Sequence, residues 1–504
     1  MQRHKRFELL VVIGILVVAS FFRFYQLEKY PPGLYPDEAM NGSNALVANA
    51  TGHYQIFYPE NTGREGLFIN IQAFSVKIFG NHPWALRVVS VLFGVLTILG
   101  LYLLTRELFE WRIASVSSFL MAISLWHVNF SRIGFRAIML PFILVYAFYF
   151  FWKGLKKSNW VSFFWSGVFW GLGFYTYTAY RIAPLILFLV FVSYWMFLKK
   201  DYQHQNYEHT RNRFLGGFSL LMITMFFVAL PIGIYFLKNP QNFMQRNTQS
   251  VFVQSQPIRE LTNSVVRTLG MFSFQGDSNP RHNLNSQPML GWPISVLFMI
   301  GFLKELYHLI RRKHGHISPI HALMFSWFFV FLLPGFLSTE APHALRAIGV
   351  IPIVMIFAGR GFMWLLNASE EWEMSRYPWE NKNGKQFITP IVAGLALMVA
   401  LGFYEYNRYF NIFGPSEITA GAFTANYVEI ANQINSTPIK KLKYVIIDAP
   451  AMNAYGLPVS AETVMFLTDT VTPATQKAKN LIYLTADQAI GYKFNPTATI
   501  WHIR

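Results

Sequence analysis

Residues 84–104 read Trp-Ala-Leu-Arg-Val-Val-Ser-Val-Leu-Phe-Gly-Val-Leu-Thr-Ile-Leu-Gly-Leu-Tyr-Leu-Leu, with one charge, at Arg87. As a helix, such a run is long enough to cross the hydrocarbon core of a bilayer, which takes roughly 20 residues. Stretches of the same kind recur near 8–25, 112–130, 136–152, 160–178, 182–198, 214–237, 291–310, 318–337, 345–366 and 387–404, giving about eleven spans. The composition fits this reading. The chain is 53% hydrophobic, 17% aromatic and only 13% charged, where a soluble chain carries roughly a quarter charged residues. The expected fold class is therefore a polytopic α-helical membrane protein. The hydrophobic content excludes disorder, and no solenoid period is visible. The chain has no cysteine, so disulfides, a thiolate nucleophile and Cys-ligated metal sites are excluded.

The net charge of +17 would suit nucleic acid, but the positions of the charges argue otherwise. With the N-terminus inside and the spans alternating, the inside segments carry Arg3, Lys5, Arg6; Arg106, Arg112; Lys153, Lys156, Lys157; Lys199, Lys200, Arg211, Arg213; Arg311, Arg312, Lys313; and Arg376, Lys382, Lys385. Every inside segment is basic, as the positive-inside rule requires. No nucleic-acid partner is expected; the bilayer is. The first span is not followed by a small-x-small cleavage site, so it is expected to remain as an anchor. An odd number of spans places the C-terminus outside.

Three outside segments are then long: 26–83, 238–290 and the tail from about 405. The first reads Tyr30-Pro31-Pro32-Gly33-Leu34-Tyr35-Pro36-Asp37-Glu38-Ala39. Pro36 suits the first position of a helix, and Thr51-Gly52 suits its end. Asp37 and Glu38 fall in the first turn, where the helix dipole favours acids whatever their use. Functionally, a carboxylate here is a candidate general base for a hydroxyl attacking an activated carbon, with its neighbour as orienter. Next comes Gly63-Arg64-Glu65-Gly66-Leu67. Leu67, Phe68, Ile71, Phe74, Val76 and Ile78 then give one largely apolar face, as in a helix lying in the membrane interface. Three acids and an arginine in one loop form a candidate pocket for a phosphate or a divalent metal.

An Asp-Glu pair just after the first span, in a loop with interfacial helices and a further acid, resembles the C-superfamily (GT-C) of polyprenyl-phosphate-dependent glycosyltransferases. The nearer relatives are the protein O-mannosyltransferases, the aminoarabinose transferase of lipid A and the bacterial RgtA/B/C/D-like group. Pro83-Trp84-Ala85-Leu86-Arg87-Val88-Val89-Ser90, Gly171-Leu172-Gly173-Phe174-Tyr175-Thr176-Tyr177 and Phe274-Gln275-Gly276-Asp277-Ser278-Asn279-Pro280-Arg281-His282-Asn283 extend the likeness over about 1–410. The resemblance implies that Asp37 is the catalytic base and Glu38 its partner. It implies that Glu65 ligates a divalent metal together with a His of the long loop, and His282 is the one His in 238–290. It also implies a sugar donor carried on a polyprenyl phosphate, whose departing phosphate needs fixed positive charge. Arginine suits that task because its planar fork binds phosphate oxygens in pairs. The outside candidates are Arg64, Arg132, Arg136, Arg181, Arg281 and Arg346, for each of which an interfacial anchor is the alternative; Arg64 and Arg281 are favoured and Arg346 is next. Tyr177 is a candidate lining residue for sugar or isoprenoid, and equally an aromatic-belt residue.

After Gly402 the sequence turns more soluble in character. Residues 443–448 and 480–484 read as strands and 424–434 as a helix, while 464–467 is ambiguous. This divides the chain into a transmembrane glycosyltransferase-like domain, 1–410, and a small extracytoplasmic α/β domain, 411–504. The expectation is an inverting glycosyltransferase of the cell membrane, acting on its outer face on an unidentified acceptor hydroxyl of protein, lipid or envelope glycan. The alternative is a transporter or flippase of lipid-linked sugars. Transporters show internal repeats and charges at the bilayer midplane, and neither is evident here.

Overall fold

The computed structural model describes residues 2–200, 207–244, 251–311, 317–376, 388–449, 453–454 and 456–504. Of the basic residues assigned above to inside segments, Arg312, Lys313, Lys382 and Lys385 lie outside them. The helices, in chain order, are α1 (Gln2–Phe24), α2 (Pro36–Thr51), α3 (Gly66–Phe79), α4 (Pro83–Leu108), α5 (Trp111–Ile123), α6 (Leu125–Arg132), α7 (Met139–Lys157), α8 (Trp160–Leu172), α9 (Ala183–Lys200), α10 (Tyr207–Lys238), α11 (Pro240–Met244), α12 (Pro257–Gly270), α13 (Trp292–Ile310), α14 (Pro319–Phe336), α15 (Ile351–Arg376) and α16 (Ile388–Tyr406). The C-terminal part adds α17 (Glu417–Ala422), α18 (Ala425–Ser436) and α19 (Glu462–Leu467).

Among the described residues, nine helices are long and apolar enough to cross a membrane, and the count is ten if α5 and α6, bent by 57° at their junction, are taken as one broken span. Their outer faces carry bare apolar side chains such as Leu10, Leu92, Phe188, Phe227 and Phe403. Such surfaces are a liability in water and the normal covering in lipid. The chain is a multi-pass membrane protein. The expected span at 160–178 differs from the others. Its helix, α8, stops after 13 residues and passes into 3₁₀ turns at Gly173–Tyr175 and Thr178–Ile182. A side chain at Gly173 would overlap the buried Tyr180 ring, so the turns are folded back on themselves here.

The α5–α6 break exposes backbone groups that a membrane interior cannot leave unpaired. Two charged side chains from distant helices meet them. Arg23 of α1 donates to the Ala122 carbonyl at 2.9 Å and the Met121 carbonyl at 3.5 Å. On the other side, Glu405 of α16 accepts from the Leu125 amide at 2.8 Å. Redirected, the chain after α6 brings Gly134 to within 2.6 Å of Glu38, its amide donating to Oε2.

Helix α2 follows its sequence signals. Pro36 occupies the first turn, and Gly52, at φ 75°, closes the last turn, its amide donating a hydrogen bond to the Ala48 carbonyl. Beyond α3, which begins just after Glu65 and turns Phe74 and Ile78 outward, the chain enters the bundle.

The C-terminal part forms a three-stranded parallel sheet. Of the strands β1 (Phe57–Tyr58), β2 (Arg64–Glu65), β3 (Lys443–Ile447), β4 (Asn453–Ala454), β5 (Leu457–Pro458), β6 (Leu481–Thr485) and β7 (Thr499–Ile503), the sheet order is β6-β3-β7. Strands β3 and β6 and helix α18 match the sequence reading, the ambiguous 464–467 is helical, and β7 was not foreseen. Tyr427, Ile434, Val445, Val464 and Leu481 make its core. A second cluster, Leu34, Ala39, Val76, Leu86 and Phe466, joins this unit to α2, α3 and α4.

Candidate active site

One cavity of about 1460 Å³ opens where the 30–37 loop, the 61–64 loop, the start of α7, the 277–282 loop and the 337–346 turn meet. Asp37, Arg64, Tyr177, Arg281, His282 and Arg346, all singled out from sequence, line it. Tyr35, Asn41, Arg136, Asp277 and His343 line it too.

The structure separates the Asp-Glu pair. Asp37 faces the cavity, partly exposed, and its Oδ1 accepts from Asn61 Nδ2 at 2.7 Å. Glu38 is fully buried and does not reach the cavity. Its carboxylate is gripped by Arg87, at 3.1 Å and 3.2 Å, and by the Gly134 amide. Successive helical residues point about 100° apart, so an adjacent pair cannot share one face. Glu38 thus ties α2 to α4 and to the segment that precedes α7.

Arg64 is held by two amides one helical turn apart on α2, Asn41 Oδ1 at 2.7 Å and Asn44 Oδ1 at 2.5 Å. The guanidinium of Arg281 lies 3.8 Å over the Tyr35 ring. Among the described residues it has no carboxylate within ion-pair distance, so its charge is available to an anion. Arg346 is paired with Glu340 at 2.7 Å. The Tyr177 ring sits under Arg136, 5.7 Å away. Burial, reinforced by Asp37, pushes the Tyr35 hydroxyl above its usual range.

Glu65 and His282, the metal pair implied by the resemblance, have different partners in the structure. The Glu65 carboxylate is taken by Arg136, Nε to Oε2 at 2.7 Å. His282 is grouped instead with Asp277 and His343, whose ligand atoms lie within 4.8 Å of one another. His282 Nδ1 is 2.8 Å from Asp277 Oδ2, which also accepts from the Ala344 amide at 2.7 Å. Burial pulls His282 below its ordinary value although Asp277 opposes it. Burial, the largest single influence, would raise Asp277, but the His282 hydrogen bond, the charges of His282 and His343 and the Asn279 amide together outweigh it and hold the carboxyl low. The pair is therefore a neutral imidazole donating to a carboxylate, which leaves Nε2 as a lone-pair donor. Burial, with His282 and Arg346 nearby, brings His343 down to about 3. Two neutral imidazoles and one carboxylate suit a borderline divalent cation with an open coordination position. In the sequence, Asp277 lies inside the Phe274–Asn283 stretch and His343 lies 66 positions further on, a spacing that gives no sign that they meet.

Behind Arg64 stands a buried acid from the C-terminal part. Burial raises the Glu462 carboxyl from 4.5 to about 7, with the neighbouring Glu60 adding to it and Ser43 and Arg64 opposing. An acid that holds its proton more tightly when folded contributes stability below about 4.5, and this is lost as pH rises through about 7. The unfolding temperature of the purified chain should therefore fall between pH 5 and pH 8, and Glu462→Gln should flatten that dependence. A variant that keeps the wild-type slope would clear Glu462 of responsibility.

Comparison with known proteins agrees with this architecture. Residues 67–207 match the family described as dolichyl-phosphate-mannose-protein mannosyltransferase, a match that leaves out Asp37 and all of α2. YkcB of Bacillus subtilis, described as a candidate mannosyltransferase, is 26% identical over 204 residues, which are 38% of this chain and 28% of YkcB. The archaeal oligosaccharyltransferase AglB from Archaeoglobus fulgidus, solved with an inhibitory peptide and a dolichol-phosphate, superposes with a TM-score of 0.55 at 15% identity, covering 96% of this chain and 65% of AglB. ArnT from Cupriavidus metallidurans, solved with undecaprenyl phosphate, gives 0.57 at 12% identity, covering 98% and 89%. The chain thus spans under a third of YkcB and just under two thirds of AglB. It resembles the GT-C glycosyltransferases, in sequence over residues 67–207 and in polytopic fold over nearly its whole length.

Proposed function

We propose that this chain is a membrane-embedded, inverting glycosyltransferase that moves a sugar from a polyprenyl phosphate to an acceptor hydroxyl. The observation that carries the reading is one cavity holding a partly exposed carboxylate, Asp37, together with the unneutralised Arg281. The acceptor oxygen attacks the anomeric carbon while its proton passes to Asp37. The bond between that carbon and the phosphate oxygen breaks, and its electron pair leaves with the phosphate. Arg281 and Arg64 bind the phosphate oxygens, and Arg346 and Tyr177 border the same space. Asp277, His282 and His343 would hold a divalent cation, which supplies positive charge to the departing phosphate. The active face is extracytoplasmic, the N-terminus cytoplasmic and the membrane the cell membrane; with the short α8 and its 3₁₀ turns taken as a further crossing, the number of spans is odd and the basic segments between spans fall on the inside. Residues 1–410 are the glycosyltransferase domain and 411–504 an α/β domain on the active face. The lipid phosphates in the AglB and ArnT structures support a donor of this class.

The test is sugar transfer by the full chain in lipid nanodiscs, offered a panel of polyprenyl-phosphate sugars and hydroxyl acceptors. New glycosidic product and free polyprenyl phosphate should appear in equal amounts. Calorimetry on chelator-treated protein should find one divalent-cation site, lost in His282→Ala. Movement of lipid-linked sugar across a vesicle bilayer, with no new glycosidic bond, would install the transporter reading instead.

A further inference from the structure

The loop that delivers Asp37 to the cavity has its carbonyls tied down from two sides. From the bundle, Arg132 donates to the Tyr30 carbonyl, and Arg87 to those of Pro31 and Gly33, at 2.9, 2.7 and 2.8 Å. Among the described residues, the side-chain donors to the Leu34 carbonyl, three residues before Asp37, come from the C-terminal part alone. Thr424 Oγ1 and Thr463 Oγ1 both donate to it at 2.9 Å. The approach is close. Gly33 has φ +80°, and a Cβ there would lie 2.3 Å from the Phe423 carbonyl oxygen. On α2 itself, a Cβ at Gly42 would lie 2.6 Å from the Phe466 ring.

Thr424 adds a second, independent sign. It has φ 50°, a left-handed backbone that a β-branched residue adopts only at a cost. It stands at the N-cap of α18, yet its side chain makes no capping bond. Its hydroxyl is committed to Leu34 instead. Glycine or asparagine would suit the backbone better, so the position gives up local comfort for a bond to the catalytic loop.

We propose that the C-terminal α/β unit is a positioning part of the active site, in which Thr424 and Thr463, through the Leu34 carbonyl, fix the loop that aims Asp37 into the cavity. The inference rests on the proposed role of Asp37 as base. Neither threonine touches substrate; both act through the loop, where a small displacement of the reacting group is costly in rate.

The experiment uses the full chain in nanodiscs with the variants Thr424→Gly, Thr463→Val, the double variant and Thr463→Ser. Thr424→Gly should leave the unfolding temperature unchanged or raised, because the strain is relieved, while kcat falls. The double variant should lose about ten-fold or more in kcat with KM for the lipid-linked donor within about two-fold. Thr463→Ser, which keeps the hydroxyl, should restore the rate. Hydrogen exchange should quicken at amides 34–40 and stay unchanged in the bundle. Wild-type kcat in the double variant would overturn the proposal, and so would a loss of kcat that only tracks a loss of thermal stability. If Asp37→Asn keeps its turnover, the base assignment fails first; quickened exchange at 34–40 with unaltered kcat would then show a clamp without catalytic consequence.

Discussion

Asp37→Asn should lower sugar transfer by about 10²- to 10⁴-fold, the usual contribution of a positioned general base, while leaving the lipid-linked donor bound. The amide is the same size as the carboxylate, and its oxygen can still accept the hydrogen bond from Asn61 that orients Asp37 now. What it lacks is basicity. The attacking hydroxyl must then lose its proton without a partner, and the barrier rises at the chemical step alone. The arginines proposed to bind phosphate belong to other elements, Arg64 to β2 and Arg281 to the 277–282 loop, and their contacts with Tyr35, Asn41 and Asn44 do not involve the Asp37 carboxylate. Donor affinity should consequently stay near wild type. Single-turnover release of polyprenyl phosphate, with donor binding measured separately, separates the two effects. Turnover within ten-fold of wild type would move the base to another residue.

Features set by local sequence were legible without the structure. Span after span was readable because hydropathy over some 20 residues is a local property, and α2 began and ended where Pro36 and Gly52 directed. Features that depend on meetings between distant residues were not. The break between α5 and α6 depends on Arg23 and Glu405, contributed by the first and last helices of the bundle. Their signal was present as charges within or at the ends of apolar runs, which demand partners, but sequence does not name the partners. The same limit divided the site. Asp37, expected as the base, lines the cavity, while Glu38, expected as its orienting partner, is turned into the protein against Arg87, and Glu65, expected as a metal ligand, is paired with Arg136. Asp277 and His343 come together only because the 277–283 loop folds onto the 339–346 turn through the Ala344 amide.

The largest expected effect on stability follows from the same rotation. Arg87 and Glu38 form a fully buried pair. Arg87 also donates to the carbonyls of Pro31 and Gly33, so a single guanidinium holds both the acid of α2 and the loop before it. Arg87→Met would leave the Glu38 carboxylate buried with only the Gly134 amide for company. Removing one partner of such a pair costs about 3–5 kcal/mol, because the remaining charge keeps its desolvation penalty and loses its compensation. Glu38→Gln added to Arg87→Met removes that stranded charge, so the double variant should be more stable than Arg87→Met alone. Thermal unfolding of the wild type, both single variants and the double variant forms a complete cycle. Strict additivity would deny the pair any coupling. Activity should separate from stability here: the double variant regains unfolding temperature but stays slow, since the Pro31 and Gly33 carbonyls have lost their donor and the loop bearing Asp37 is tied only at Tyr30 and Leu34. Recovery of both together would mean that the ion pair alone, and not the grip of Arg87 on the loop carbonyls, keeps Asp37 in place.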